Sequence, residues 1–247
     1  MKRITDFLVA LGGLIVFSPI LIPVIFLVWI QDWHSPFYVA PRVGKKEKIF
    51  KMVKLRSMII NADKSGVDST SSNDKRITRV GAFIRKYKLD ELTQLWNVLI
   101  GDMSLVGPRP NVKRETDLYT IEEKKLLSVK PGITDFSSIV FSDEGEILKE
   151  YDDPDIAYNQ LIRPYKSRLG IFYIQNTNLI IDLKLLYLTA LAILSRDNAL
   201  IKITKLLIRL GADKNLIEVA SRKNVLIPTP PPGANKIVTN REGRIDD

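Results

Sequence analysis

An uncharged, largely apolar run extends from Phe7 to Ile30, preceded by Lys2, Arg3 and Asp6 and edged by Trp29 and Trp33. About 20 such residues suffice for a helix to cross a bilayer, so length alone predicts a membrane helix. Pro19 and Pro23 sit near its centre, in the stretch SPILIP. Neither can donate to the helical ladder, so two carbonyls lose partners and a bend is predicted at Ser18-Pro19. The Ser18 hydroxyl can bond back to the carbonyl of Leu14 and relieve the deficit. Basic residues flank both ends, Lys2 and Arg3 before the run and Arg42, Lys45, Lys46, Lys48, Lys51, Lys54 and Arg56 after it. A straight crossing would leave one cluster on the wrong side by the positive-inside rule. The pattern favours a re-entrant helix hairpin that enters and leaves the cytoplasmic leaflet, with a kinked span as the alternative. The run is too long for a cleaved leader and lacks small residues at a cleavage site, so it is expected to be retained.

Downstream the periodicity changes. Phe37, Tyr38 and Val39, then Ile49, Phe50, Met52 and Val53, read as short extended pieces around a glycine turn. The polar stretch NADKSGVDSTSSND reads as a loop. Thr78 caps a helix predicted through Tyr87, and a second helix starts near Leu89 with Leu92, Leu95, Trp96 and Leu99 along one core-facing stripe. GDMSLVGPRP reads as loop, and ETDLYTIEEKKLLSV as helix ended by the turn in KPGIT.

The segment LIIDLKLLYLTALAIL is apolar but short for a span, which places it in the core or at the membrane interface. NALIKITKLLIRLGADKNLIEVASRK predicts one or two amphipathic helices with Lys202, Lys205 and Arg209 on the polar side, and IPTPPPGANKIVTNREGRIDD an extended or disordered tail. The fold class is therefore mostly α with small β elements. Residues 1–35 form a re-entrant membrane anchor, 36–195 a compact cytosolic domain with interfacial amphipathic helices, and 196–247 a helical extension with a Pro-rich tail.

Charge narrows the partners. Lys and Arg number 37 against 28 Asp and Glu, a net charge of +9, which suits nucleic acid, an acidic lipid surface or phosphorylated substrates. There is no cysteine, which removes disulfides, thiolate zinc sites and thiol nucleophiles. His34 is the only histidine, so chemistry independent of it rests on carboxylates, lysines, hydroxyls or a metal held by oxygen.

The stretch ITRVGAFIRKYKLDELTQLWNVLIGDMSLVGPRP concentrates the candidate chemistry. Asp90 and Glu91 fall in the first turn of the second predicted helix, where free amides and the helix dipole favour negative charge. Arg79, Arg85, Lys86 and Lys88 precede them, and Arg109 follows between Pro108 and Pro110. Adjacent carboxylates among guanidinium groups suit a phosphate substrate, with a metal shielding the carboxylates from the anion. Carboxylates clustered inside a basic region argue against a nucleic-acid partner. Acidic residues in a first turn are also ordinary helix-start residues, so the pair alone does not establish catalysis.

With its surroundings the chain resembles the bacterial polyprenyl-phosphate sugar-1-phosphate transferases, the monotopic phosphoglycosyl transferases. The likeness rests on Ser18-Pro19, RVG at 42–44, KLRSM at 54–58, ITRVGAFIRKYKLDEL at 77–92, LWNVLIGDMSLVGPRP at 95–110, KPGIT at 130–134 and IIDLKLL at 180–186. It runs in order over roughly residues 1–195. The resemblance implies an enzyme of the bacterial inner (cytoplasmic) membrane, its catalytic domain facing the cytoplasm. It would transfer a sugar-1-phosphate from a nucleotide diphosphate sugar, usually a UDP-sugar, to undecaprenyl phosphate with release of UMP.

By the same likeness Asp90 is the nucleophile, and Glu91 helps to bind Mg²⁺. Lys54, Arg56 and Arg85 lie near the phosphates, and Pro108, Arg109 and Pro110 contact the nucleotide. The implied role is the first membrane step of capsule, O-antigen or exopolysaccharide assembly. A homodimer stays open as a partner. Thr93, Leu55 and the continuation DFSSIVFSDEGEIL depart from the commoner pattern and leave the sugar undefined.

Overall fold

The computed structural model describes residues 2–62, 70 and 73–240. Most of the predicted NADKSGVDSTSSND loop, and the end of the tail from residue 241, lie outside the described residues. The first element is α1 (Lys2–Ile30), followed by the hairpin strands β1 (Phe37–Val43) and β2 (Ile49–Leu55). These pair antiparallel, with Phe37 opposite Leu55 and Val43 opposite Ile49, around the turn that the glycine and the flanking apolar pieces predict.

Next come α2 (Arg79–Lys86), α3 (Leu89–Leu92), α4 (Leu95–Ile100), β3 (Ser104–Val106) and α5 (Lys113–Thr116). A 3-10 turn over Glu123–Ser128 leads to β4 (Gly132–Thr134), then α6 (Phe136–Val140), α7 (Glu144–Leu148) and α8 (Pro154–Ala157). A wide π turn at Tyr158–Ile162 feeds α9 (Arg163–Asn176), α10 (Leu179–Leu194), α11 (Arg196–Arg209) and α12 (Lys214–Ser221). The chain is thus mostly helical with small sheets. Phe136, Ile139, Leu169, Leu185, Ile203 and Leu207, from α6, α9, α10 and α11, are buried at the centre of one core.

α1 holds Pro19 and Pro23 inside it, so the bend expected at Ser18-Pro19 falls within one continuous helical segment. The Ser18 hydroxyl does bond back to the ladder, but to the carbonyl of Ile15, at 2.7 Å, instead of Leu14. Both ends of this helix are held by the same domain. At its start Lys2 pairs with Asp182 of α10 and donates to the Val106 carbonyl at 3.1 Å. Arg3 donates to the carbonyls of Val98 and Leu99 at the end of α4, where the helix dipole favours a cation. Asp6, buried, accepts from the Ser104 hydroxyl at 2.8 Å and the Leu105 amide at 3.1 Å.

At the other end Val24 and Val28 pack with Leu55, Ile84 and Leu89 in a second cluster. Between these attachments the helix leaves apolar side chains open, with Ile15 at 64% and Val16 at 69% exposure.

Two further expectations change. Inside GDMSLVGPRP, Ser104–Val106 forms a strand pairing in parallel with β4. The helix expected over ETDLYTIEEKKLLSV shrinks to α5 and the 3-10 turn. In α11 the apolar stripe of Ala199, Leu200, Ile203, Leu206 and Leu207 is buried in the protein core, while Lys202, Lys205 and Arg209 stay exposed. That stripe is therefore satisfied by protein instead of being left for a bilayer. On α10, Ile181, Leu185 and Leu188 face inward, and Ile180, Leu183, Tyr187 and Leu194 remain exposed.

Candidate active site

The carboxylate pair sits on α3, which is a single turn. Thr78 caps the preceding helix through the Gly81 amide, at 2.9 Å, and Lys88 ends the connection in the left-handed region at φ 53°. A non-glycine residue there costs about 1 kcal/mol, a local strain that aims Asp90 and Glu91. A short turn has little dipole, so the ionisation that the sequence attributes to a helix start comes instead from neighbouring side chains.

Two polar residues lock α3 and α4 onto β2. The Thr93 hydroxyl lies 3.0 Å from the Asp90 carbonyl and 3.3 Å from the Val53 carbonyl. Asn97, fully buried, accepts from the Val53 amide at 2.9 Å and donates to the Lys51 carbonyl at 2.7 Å. Through these bonds Lys54, at the end of β2, is set 3.9 Å from the Asp90 carboxylate.

Arg109 arrives from the other side, on the loop after β3. That loop lies against the KPG turn: the Gly132 amide donates to the Pro108 carbonyl at 2.9 Å. A Cβ on Gly132 would fall 2.1 Å from the Gly107 nitrogen, so only glycine permits this approach. The Arg109 guanidinium donates to Glu91 at 2.8 Å. Asp90 and Glu91 are 16% and 15% exposed, within reach of solvent and ligand.

The two carboxylates are driven apart electrostatically. Burial raises Asp90 above the ordinary carboxylate value; Lys54 opposes that rise and the Glu91 charge adds to it. Burial also pushes Glu91 up, but Arg109, Lys88 and Lys54 overcome it and bring it down to about 2. Lys54 is lowered by its own burial, against the pull of Asp90. The result is one carboxylate held above its ordinary value beside one that stays ionised. Two adjacent carboxylates are hard oxygen donors of the kind that could hold Mg²⁺, which would supply charge neutralisation for a phosphate ligand. Among the described residues there is no cluster of three or more His, Cys, Asp or Glu that would form an all-protein cage.

On the Arg109 side lies a small cleft, with a volume of about 10 Å³, lined by Pro108, Arg109, Pro110, Asn111 and Tyr119, with Leu126 and Val129. Tyr119 accepts from the Asn111 side chain at 2.8 Å, and burial holds its hydroxyl well above its ordinary value, so it acts as a neutral phenol.

The structure brings Lys54, Asp90, Glu91 and Arg109 together, with Pro108 and Pro110 forming the adjoining wall. Arg85, half-buried on α2, is close enough for its charge to favour the ionised Asp90. Arg56, expected near the phosphates, is committed elsewhere. Its guanidinium forks onto Asp32 and donates to the carbonyls of Ser35 at 2.9 Å and Val28 at 3.3 Å, clamping the end of α1. Asp32 is lowered to about 2 chiefly by that hydrogen bond. Ser18 and Pro19 lie on α1, outside this cluster. Thr93 and Asn97 were missed as positioning residues; a buried polar side chain on the apolar stripe of LWNVLI was the available signal.

A family model described as bacterial sugar transferase matches residues 1–196, and the chain belongs to that family. It is 34% identical over 214 residues to the UDP-galactose-lipid carrier transferase of Erwinia amylovora, covering 81% of this chain and 41% of that protein. It is 36% identical over 214 residues to the undecaprenyl-phosphate galactose phosphotransferase of Salmonella typhimurium, with 81% and 41% covered. It is 34% identical over 213 residues to the exopolysaccharide production protein ExoY of Sinorhizobium fredii, with 80% and 87% covered. The chain thus spans about two fifths of the first two relatives and most of the third.

Proposed function

We propose that the chain transfers a sugar-1-phosphate from a UDP-sugar to undecaprenyl phosphate, releasing UMP, as an initiating step of polysaccharide assembly. The observation that carries this is the quartet of Lys54, Asp90, Glu91 and Arg109, in which a carboxylate of raised basicity faces a cationic rim. The relatives' names supply the acceptor, undecaprenyl phosphate, and the donor class, UDP-galactose.

In this reading the Asp90 carboxylate attacks the phosphorus bonded to the sugar. The diphosphate bridge breaks, UMP leaves with the bridging oxygen, and an acyl-phosphate links Asp90 to the sugar phosphate. An oxygen of the lipid phosphate then attacks the same phosphorus, the acyl–phosphate bond breaks, and Asp90 returns as carboxylate. Splitting one displacement into two is the use of a covalent nucleophile. Lys54 and Arg109 offset charge on the transferring oxygens, and Arg85 adds to that field. Mg²⁺ bound at Glu91 would supply further charge neutralisation there. Pro108 and Pro110 shape the wall against which the nucleotide rests.

A helix attached to one domain at both ends, with bare apolar side chains between, suits a re-entrant anchor in the cytoplasmic leaflet of the inner membrane. The exposed face of α10 would join it. Cysteines introduced at Lys2 and Gly44 should then label from the same, cytoplasmic side; labelling from opposite sides means a span. For the chemistry, wild type given donor and Mg²⁺ alone, then acid-quenched, should gain the mass of a sugar phosphate, and Asp90→Asn should not. Product formation by Asp90→Asn at the wild-type rate overturns the proposal.

A further inference from the structure

The family match ends at residue 196, yet the chain beyond α12 makes specific contacts. From Arg222 to residue 240 it runs largely without regular structure. The Thr229 amide donates to the Gln160 carbonyl at 3.0 Å, and its hydroxyl meets that of Tyr165 at 2.9 Å. Arg168 donates to the Pro230 carbonyl at 2.9 Å, and Gln160 to the Val238 carbonyl at 2.7 Å. Val238 is fully buried. A Pro-rich sequence is pre-set to an extended form, so docking it costs little chain entropy. The composition that predicts disorder here makes a strap.

One contact points at the cleft. The Thr120 hydroxyl donates to the Pro232 carbonyl at 2.5 Å, and a Cβ on Gly233 would meet the Glu122 side chain at 2.9 Å. Thr120 follows Tyr119, whose hydroxyl receives Asn111, and the Asn111 carbonyl in turn receives the Val43 amide at 2.9 Å. Tyr119, Asn111 and Arg109 share one cleft. The strap, the cleft wall and the Pro-Arg-Pro loop are therefore joined by consecutive residues and hydrogen bonds, the kind of contiguous network that can carry positional coupling.

We infer that this C-terminal strap is a positioning element for the donor cleft. By holding Thr120 it fixes the Tyr119 and Asn111 wall beside Arg109, and so sets affinity for the nucleotide end of the donor. The inference rests on the reading of the cleft as the nucleotide site.

The test compares the full chain, a chain ending at Asn224, and full-length Val238→Asp. Steady-state kinetics with the UDP-sugar that wild type uses are combined with amide exchange over residues 111–129. For both variants donor KM should rise about tenfold while kcat stays within about twofold, and KM for polyprenyl phosphate should hold. Exchange near Tyr119 should quicken, and a peptide of residues 225–240 should restore donor KM to the shortened chain. An unchanged donor KM overturns the inference, as does a fall in kcat with both KM values unchanged, the result of a merely structural role. If wild type turns over no UDP-sugar, the functional reading has failed, and the exchange data decide the strap alone: unchanged exchange near Tyr119 overturns it.

Discussion

Arg109→Met keeps most of the apolar stem and removes the cation that holds Glu91. In the wild type Glu91 is depressed from 4.5 to about 2, against a burial that pushes it up. At ~1.36 kcal/mol per pH unit, that depression amounts to ~3 kcal/mol of stability. The contribution is fully present above about pH 4.5, where Glu91 is ionised in both states, and it is lost as the pH falls toward about 2. With Arg109 gone, burial dominates at a side chain only 15% exposed, so the variant is expected to be ~2–4 kcal/mol less stable at pH 7. For a chain of this size each kcal/mol moves Tm by ~2–4 °C, which gives a drop of roughly 5–15 °C. Thermal unfolding in detergent micelles, followed by tryptophan fluorescence at pH 7 and pH 4, reads the effect. The gap between wild type and variant should narrow at the lower pH. A gap below ~1 kcal/mol at neutrality, or one of equal size at both pH values, would refute the assignment of Arg109 as the partner that keeps Glu91 ionised.

Asp90→Asn should stop turnover yet melt above the wild type. Burial raises the folded-state pKa of Asp90, so its contribution to stability is lost as pH rises through that value; an equal or lower Tm at pH 7 counts against it. The acid limb of kcat/KM should accordingly lie above the ordinary aspartate value of 3.8, and a limb at or below that value argues for a different nucleophile. Arg163→Met strands Glu123, which has no exposed surface and takes two bonds from that guanidinium, at 3.1 and 2.8 Å. A loss of ~3–5 kcal/mol in denaturant melts is expected, with partial recovery when Glu123→Leu is added.

Elements whose signal is local were legible. The Thr78 cap, the hairpin of β1 and β2 and the carboxylate pair each follow from a few neighbouring residues. The pairing of β3 with β4 was not, because three-residue strands show no alternation and their partners are distant in sequence. The break between α3 and α4 escaped for a related reason. Leu92, Leu95 and Leu99 continue one periodic stripe, whereas Trp96 turns out 51% exposed, and the interruption depends on Thr93 and Asn97 reaching across to β2. Arg56 reads as one of several basic residues near a phosphate site until Asp32 is seen beside it. The residue types that gather at the candidate site were visible in the sequence, but the opposite electrostatic environments of Asp90 and Glu91 depend on burial.

The attachments of α1 have a bearing on how far the polypeptide can be shortened. Without that segment Asp182 keeps a buried charge whose ammonium partner is gone, Ser104 loses its carboxylate, and Arg56 loses the carbonyl of Val28. A version shortened at its beginning is thus an incomplete globule, not a freed enzyme. The first thirty residues are thus part of the folded body that carries Lys54, Asp90 and Glu91, and the packing of that body is complete only with them in place.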